Sequence, residues 1–411
     1  MDYSIKIVAF VVLLLLHLHP GTVDRVRAQD EAKSYELVPA PDLWYNDVDG
    51  IRVGIRLRGQ VPGTFDEGPH RLDFGTWFAT WLPDTPVSYY LSFTEPIPSI
   101  SDFASEGNIR LRSSIRTGLH RHSLGFNKRW QLGFNERDYR RLSIRFSGQK
   151  RFDDEYLQYP QLWQPEWLYL AESDLVISDE NMIGRYYSRL TVHFNLAGEI
   201  ENFLQGSWEL QQIFPLSEYF QLRARIFAGL ASDNTPPEYL FMRSMMTPAH
   251  WAEKGLTRAK GTIPVSWMEE GFIQVSGGPN LRGYTDQEIT LLNAGGSPLV
   301  TSMGSVNLEL DYPNPIDRYF SKIPVVGGFL KLHSYLFFDS GTSLGVSQTE
   351  EERLLSDAGL GFMLALNIPD YLGNQRGIFL RYDVPLWLSN PGIGERIEWR
   401  NIIGIGAVIS L

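Results

Sequence analysis

Apolar and polar residues alternate at every second position in many short stretches of the chain. In residues 51–58 the apolar positions, separated by arginine or glycine, are Ile51, Val53, Ile55 and Leu57. The same alternation occurs in residues 141–146, 189–196 and 222–226. Because successive side chains of a β-strand point to opposite faces, this period of two predicts strands with one apolar and one charged face. No amphipathic helix of three or more turns is indicated after residue 28, so the predicted fold class is all-β.

Two architectures use such strands differently. In a soluble β-sandwich, the apolar faces would meet in a core and the charged faces would lie in water. In a transmembrane antiparallel β-barrel, the apolar faces contact lipid and the charged faces line a wet lumen. The strand-like segments are about ten residues long, which suits a tilted membrane crossing. Aromatic residues also gather near segment ends, for example at Trp44, Trp77, Trp130, Trp167 and Trp387. Both features favour a barrel surrounded by membrane lipid.

Fifteen strand candidates can be placed along the chain. They are 51–60, 69–82, 86–95, 107–118, 121–134, 138–149, 187–197, 202–212, 219–230, 267–276, 302–312, 329–340, 357–367, 375–388 and 401–411. Bacterial barrels close with an even number of strands, so we expect about sixteen. The missing strand is predicted either at Ser34–Val38 or within residues 150–186. Residues 231–266 are predicted to form a long loop with room for a short helix.

Composition and the N-terminal sequence narrow the setting of this barrel. The 411 residues carry a formal charge of −11 and include no cysteine, which excludes a disulfide scaffold and does not suit nucleic acid as a partner. The apolar run Ile7–Leu16 is shorter than the roughly 20 residues that a membrane-spanning helix needs. Since small residues follow it at Val26 and Ala28, we predict a cleaved signal peptide over 1–28. We then expect a short periplasmic segment over 29–49 and the barrel over 50–411, in an outer membrane of the Gram-negative type.

Charged residues in the strands must face the lumen if the strands cross a membrane, because an arginine or lysine facing lipid at mid-membrane costs roughly 2–4 kcal/mol. Parity places arginines on the inner wall of the earlier strands: Arg52, Arg56, Arg110, Arg112, Arg116, Arg141, Arg145, Arg189, Arg223 and Arg225. It places acids on the inner wall of the last strands: Glu309, Asp311, Asp339 and Asp383. The arginines either form a structural ladder with loop carboxylates or make an electropositive wall that attracts anions.

Two short motifs lie close to the C-terminal strands. Residues 277–284 read Gly-Gly-Pro-Asn-Leu-Arg-Gly-Tyr, and the glycines would let a loop fold back and hold Arg282 in one place. Taken alone, this is also an ordinary loop sequence. Five strand candidates follow it. The second of them, 329–340, ends in a Phe-Phe-Asp-Ser-Gly motif at 337–341.

These two motifs in this order resemble the bacterial surface antigen superfamily, which comprises outer-membrane assembly factors and two-partner-secretion transporters. Family barrels have sixteen strands, and a long loop enters the lumen before the last five strands. The resemblance implies that the loop motif consists of Leu281, Arg282, Gly283 and Tyr284. It implies that Arg282 meets the acid of a wall motif formed by Phe337, Asp339 and Gly341. The resemblance covers residues 270–411, whereas over 29–269 only the alternation supports it.

The last strand candidate ends at the final residue of the chain. Gly406, Ile409 and Leu411 resemble the C-terminal signal that the barrel assembly machinery reads in bacterial outer-membrane barrels, with Leu411 in place of the usual aromatic residue. We therefore expect that machinery to insert the protein.

The resemblance implies a role in the assembly or translocation of proteins or lipids at the outer membrane. Assembly and secretion members of the family carry periplasmic polypeptide-binding modules, for which residues 29–49 leave no room, so we expect a separately encoded protein partner. Two alternatives stay open: a passive anion-selective pore with an arginine-lined lumen, and an adhesive barrel whose loop within 150–186 binds a partner.

No enzymatic activity, cofactor or metal site is expected. No His-Glu-x-x-His zinc signature occurs, and Asp153 and Asp154 indicate a solvated acidic patch. Residues 341–345 match the Gly-x-Ser-x-Gly pattern of serine hydrolases. That pattern needs a helix directly after the serine, whereas a polar run follows here, so Ser343 is predicted to be a loop serine.

Overall fold

The structure is a computed structural model. It describes residues 35–60, 71–82, 86–102, 104–131, 133, 135, 137–198, 200–253, 258–270, 273–274, 277–320, 322–323, 330–344, 354–369, 375–392 and 394–409. The described residues belong to one compact unit. The predicted signal peptide and Leu411 lie outside the described residues.

Sixteen long strands form one antiparallel sheet in the described part of the chain, and together they are called the wall. They are β1 (Glu36–Asn46), β2 (Gly50–Gln60), β3 (Arg71–Ala79), β4 (Val87–Pro96), β5 (Ser105–Arg116), β6 (Leu119–Gln131), β7 (Tyr139–Arg151), β8 (Leu168–Asn181), β9 (Gly184–Gly198), β10 (Leu204–Pro215), β11 (Gln221–Ala231), β13 (Ser302–Tyr312), β14 (Leu330–Leu344), β15 (Leu355–Pro369), β16 (Gln375–Leu388) and β17 (Ile402–Ile409). A two-residue strand, β12 (Ile273–Gln274), lies between β11 and β13 in the sequence. Each wall strand pairs with the next along the chain, and β11 pairs directly with β13. The predicted all-β fold is confirmed.

The first and last strands form the two edges of the wall. The described residues of β1 pair with β2, and those of β17 pair with β16. On its other side, β17 pairs in parallel with β12, through Ile403 and Gly404. Within the described residues, no hydrogen-bonded pairing joins β1 to β17.

The two faces of the wall differ in polarity. On β14, Leu336 and Phe338 are 50% and 41% exposed, whereas Tyr335, Phe337 and Asp339 at the alternate positions are buried. Further exposed apolar side chains on other strands include Ile55, Leu124, Phe146, Leu190 and Leu380. An apolar outer face of this kind suits lipid. Among the described residues, no helix is both long and apolar enough to cross a membrane.

The long connection between β11 and β13, residues 232–301, is called the plug loop, and its described residues pack mainly against the inner face of the wall. It contains the 3₁₀ turns Pro237–Tyr239 and Arg282–Tyr284 and the helices α1 (Pro248–Glu253), α2 (Val265–Glu269) and α3 (Thr285–Asn293). The remaining elements are helix α4 (Pro315–Phe320) and the 3₁₀ turns Pro98–Ile100, Asp154–Tyr156 and Pro160–Leu162.

Contacts of the plug loop reach strands far apart in the sheet. Met242, Met245 and Ile289 pack with Tyr159 of the β7–β8 connection in a buried apolar cluster. The Lys260 carbonyl accepts a hydrogen bond of 3.1 Å from the backbone N–H of Asp47, which lies in the turn between β1 and β2. Later parts of the plug loop contact β13 to β16, as described below. Since one loop contacts the first hairpin and the last strands, the wall curves around it.

The predicted number of long strands is confirmed, and of the fifteen candidate positions one, 267–276, is wrong. Both proposed places for the missing strand hold one, β1 and β8. Segment 29–49 therefore contains the first wall strand, which was hidden by Pro39 and Pro41; prolines lack a ladder donor and are tolerated at a sheet edge. The candidate 267–276 is instead α2 followed by β12, because Pro264 precedes a run that does not alternate. Ser343 lies in β14, where its side chain is buried, rather than in a loop.

Candidate functional site

The segment before Arg282 turns sharply and is fastened to the inner wall. Gly278 and Asn280 have φ angles of +61° and +53°, which glycine and asparagine tolerate best. The carbonyl of Pro279 accepts a hydrogen bond from Ser305 Oγ at 2.7 Å, and that of Asn280 accepts one from Asn307 Nδ2 at 2.9 Å. The plug loop is thereby held against β13.

The side chain of Arg282 is fully enclosed, with 1% of the residue exposed. Its Nε and Nη2 donate to the two carboxylate oxygens of Asp339, at 2.6 and 3.0 Å. Its Nη1 donates to Glu309 at 2.9 Å and to Asp383 at 3.5 Å. The ring of Phe337 lies under the guanidinium, 4.2 Å from Cζ to the ring centroid. A forked arginine–carboxylate pair with a cation–π contact fixes both the position and the orientation of the loop.

The acids around Arg282 are held by a second set of donors. Arg381 donates to both Glu309 and Asp383. Tyr335 donates its hydroxyl proton to Asp383. The close approach of Tyr335 to β15 depends on Gly361, because a β-carbon there would lie 2.2 Å from the Tyr335 ring. Three of the four predicted lumen acids, Glu309, Asp339 and Asp383, therefore meet in one cluster, whereas Asp311 pairs with Arg223.

The neighbours of Arg282 in the loop motif pack against β15 and β16. The Tyr284 hydroxyl donates to Ser356 O at 3.0 Å, and the side chain is 1% exposed. A β-carbon on Gly283 would lie 2.7 Å from Cβ of Asp357, so only glycine lets the loop lie this close to the wall. Leu281 is fully buried, and its N–H donates to Arg243 O at 2.8 Å.

Asp357 is a member of this cluster that the sequence reasoning missed. It lies directly opposite Asp339 in the β14–β15 register and is fully buried. Its two carboxylate oxygens have no hydrogen-bond partner among the described residues. Asp357 has the same parity as the inward-facing Gly359 and Gly361 of the strand candidate 357–367, and this parity is the signal that would have revealed it.

The ten predicted lumen arginines divide into two groups. Six lie within 4.0 Å of a carboxylate: Arg52 of Asp49, Arg141 and Arg189 of Asp174, Arg145 of Glu172, Arg223 of Glu309 and Asp311, and Arg225 of Glu209. Most of these acids lie on neighbouring wall strands, not on loops as expected. Sequence reasoning missed Glu172 and Asp174 because β8 was not recognised as a strand. Arg56, Arg110, Arg112 and Arg116 form no ion pair with a carboxylate in the described part of the chain.

The remaining predicted residues lie elsewhere in the wall. Gly341 continues the inward face of β14 beyond Asp339, where a β-carbon would lie 2.7 Å from the Gly304 carbonyl oxygen. Gly406 and Ile409 lie on β17. The third residue of that C-terminal signal, Leu411, lies outside the described residues.

Comparison with known proteins gives similarity at the level of solved structures. No protein-family model matches the chain, and no curated protein matches it. A structure of BamA from Haemophilus ducreyi lacking POTRA domains 1–3 aligns with 92% of this chain and 70% of its own, at 12% identity and a TM-score of 0.46. CdiB from Escherichia coli aligns with 93% of this chain and 64% of its own, at 11% identity and a TM-score of 0.46. CdiB from Acinetobacter baumannii aligns with 90% and 59%, at 12% identity and a TM-score of 0.38.

Chemically, this arrangement is an electrostatic latch. A buried arginine is compensated by carboxylates from three wall strands, so the loop that carries it is tied to β13, β14 and β16 at once. Removing one partner of such a buried pair leaves an uncompensated charge, which costs far more than losing an exposed pair. The site can hold the plug loop inside the wall or, once the ion pairs break, release it.

Proposed function

We propose that the chain is an outer-membrane barrel of the bacterial surface antigen superfamily, in a Gram-negative type of membrane. We propose that it acts there in the assembly or translocation of proteins, with lipids as the second class of client. The observation that carries this proposal is the forked ion pair between Arg282 and Asp339. It joins the loop motif and the wall motif in the order and spacing on which the family resemblance rests.

In the proposed mechanism, the plug loop closes the lumen at rest and the latch sets how readily it opens. A passive channel has little need for an arginine and two carboxylates, Asp339 and Asp383, that are all fully buried at the base of one loop. A protein that must stay sealed until it engages a client does need a strong but breakable closure. The latch therefore favours a gated function over permanent conduction.

The edge of β17 is a second support for this proposal. Part of that edge pairs with β12, and no pairing to β1 occurs in the described residues. An exposed strand edge offers backbone donors and acceptors to an incoming strand, which is a common way for a protein to bind an extended polypeptide. We propose that β1 and β17 form the seam where a client strand pairs.

Planar-bilayer conductance of the purified full chain tests the gated function. We expect the wild type to be nearly silent, with rare openings, and Arg282→Ala to conduct for a larger fraction of the time. Arg185→Ala is the matched control, because Arg185 pairs with Asp138 at 2.8 Å at the start of β9, away from the latch. A large, steady, anion-selective current from the wild type would instead support the passive pore, which the uncompensated Arg112 and Arg116 favour.

Co-purification from native membranes tests for the protein partner. The tagged wild-type chain is extracted in mild detergent, and bound proteins are identified by mass spectrometry. We expect a reproducible partner protein or outer-membrane client that is absent from a mock-tagged sample. If neither is retained, and the wild type conducts steadily, the assembly or translocation role is wrong.

A further inference from the structure

A cavity of about 280 Å³ lies between the inner face of β4 to β7 and the plug loop. Of the described residues that line it, one carries a carboxylate, Glu253, and five are arginines: Arg112, Arg116, Arg121, Arg145 and Arg258. Four of these arginines belong to the wall, and Arg258 belongs to the plug loop. The cavity is therefore strongly positive on both of its sides.

Glu253 is already engaged by two of the five arginines. Its Oε1 accepts from Arg121 Nη2 at 2.6 Å and lies 3.9 Å from Arg145 Nη2. Arg145 in addition pairs with Glu172. The other three, Arg112, Arg116 and Arg258, form no ion pair with a carboxylate in the part of the chain that the structure describes. The positive charge of the cavity is thus incompletely compensated.

Contacts with neutral groups orient two of the three uncompensated arginines, Arg116 and Arg258. The Arg116 guanidinium lies over the Tyr90 ring, 4.7 Å from its centroid. Arg258 donates through Nε to Ala252 O and through Nη2 to Glu253 O, both at 2.9 Å, at the carboxyl end of α1. The Nε of Arg112 is buried and has no hydrogen-bond partner among the described residues. An uncommitted donor of this kind is costly when dry, which indicates a ligand or solvent partner.

Crowding of like charges is the physical reason to expect an anion. Burial, together with repulsion from Arg121 and Arg52, lowers the pKa of Arg258 to about 10. An anion placed among the guanidinium groups would relieve that repulsion and give Arg112 Nε an acceptor. Guanidinium groups match the oxygens of phosphate particularly well, because their planar forks donate two parallel hydrogen bonds. A volume of about 280 Å³ accommodates one phosphate group with a small substituent.

We propose that this cavity binds a phosphate group, either as the free ion or on a small headgroup, through Arg112, Arg116 and Arg258. The site is independent of the proposed function and adds to it. Because Arg258 is part of the plug loop and Arg112 and Arg116 are part of β5, a bound phosphate would also tie the loop to the wall. This attachment would hold an earlier part of the plug loop than the Arg282 latch does.

Isothermal titration calorimetry of the detergent-solubilised full chain tests the site, with inorganic phosphate as the probe at constant ionic strength. We expect saturable one-to-one binding that weakens at least about tenfold in Arg258→Gln and in the double variant Arg112→Gln/Arg116→Gln. Arg58→Gln is the matched control, because Arg58 is an inner-wall arginine paired with Asp73 at 3.3 Å and does not line the cavity. Its affinity for phosphate should equal that of the wild type.

A second arm distinguishes the source of the phosphate group. Dihexanoyl phosphatidic acid replaces inorganic phosphate: tighter binding than the free ion indicates a lipid headgroup, and equal or weaker binding indicates the ion itself. Arg258→Gln keeps every wall strand intact, so its result stands even if the double variant fails to fold. The proposal is overturned if the wild type binds neither probe, or if Arg258→Gln binds phosphate as tightly as the wild type.

Discussion

Replacing Arg282 by alanine should release the plug loop while the wall stays folded. The substitution removes four hydrogen bonds and leaves Asp339 buried without an arginine, at 0% exposure, whereas Asp383 keeps its ion pair with Arg381. Breaking a buried ion pair from one side typically costs about 3–5 kcal/mol. Release of the loop lets water reach the unpaired Asp339, so most of that cost favours the open state. The open fraction should therefore rise by roughly two to four orders of magnitude.

Labelling of a single cysteine can measure that change. Ser305 is 5% exposed and lies under the plug loop, where its hydroxyl donates to Pro279 O at 2.7 Å. Because the natural chain contains no cysteine, Ser305→Cys supplies the only thiol. When the loop closes faster than a maleimide reacts, the labelling rate is proportional to the open fraction.

The comparison uses three chains that all carry Ser305→Cys, so any effect of the cysteine itself cancels. We expect the chain with Arg282→Ala to react at least about a hundredfold faster than the chain without it. The chain with Arg185→Ala should react at the unchanged rate. Equal rates for Arg282→Ala and its parent, with the wall folded in both, would refute the latch.

Three further predictions concern the neighbours of the latch and Glu238, near the start of the plug loop. Asp357→Asn should not speed the labelling of Ser305→Cys, because it removes an unsatisfied acid facing Asp339. Asp339→Asn should speed that labelling. Faster labelling of the Asp357 variant than of the Asp339 variant would contradict this prediction. Gly283→Ala should speed labelling, because its β-carbon would lie 2.7 Å from Cβ of Asp357, and an unchanged rate would show that the loop can shift without cost. Burial raises the pKa of Glu238 to about 7, so the folded loop favours the protonated carboxyl. The resulting stabilisation, at most about 3 kcal/mol, is fully present below about pH 4.5 and is lost as the pH rises through 7. Thermal unfolding at pH 5 and pH 8 should show a smaller difference for Glu238→Gln than for the wild type, and an equal difference would exclude Glu238 as its source.

Sequence patterns predicted the features that depend on local order. Strand parity placed Glu309, Asp339 and Asp383 on the same inner face because side chains alternate strictly along a strand. The glycines at 277–278 predicted a tight turn, which the positive φ of both residues requires. The meeting of Arg282 with Asp339 followed from the family resemblance, since no local pattern links positions 57 residues apart.

Other features depend on contacts that no local pattern records. β1 and β8 were predicted only as two alternative places for one strand. Pro39 and Pro41 interrupt the alternation of β1, and the polar run 172–174 hides the apolar face of β8. The convergence of Arg258 with Arg112 and Arg116 arises only when the plug loop folds back across the wall. The convergence of acids from three strands on Arg282 likewise depends on register, which local sequence patterns do not determine.

Depletion of the chain in its native cell, followed by quantitative analysis of outer-membrane proteins and lipids, tests the proposed role most directly. Cells are complemented with the wild type, Arg282→Ala or Arg185→Ala at equal expression. We predict that depletion lowers a defined set of outer-membrane or secreted proteins or of outer-membrane lipids, that the wild type and Arg185→Ala restore it, and that Arg282→Ala restores it only in part. Unchanged protein and lipid contents after depletion would contradict a function in assembly or translocation.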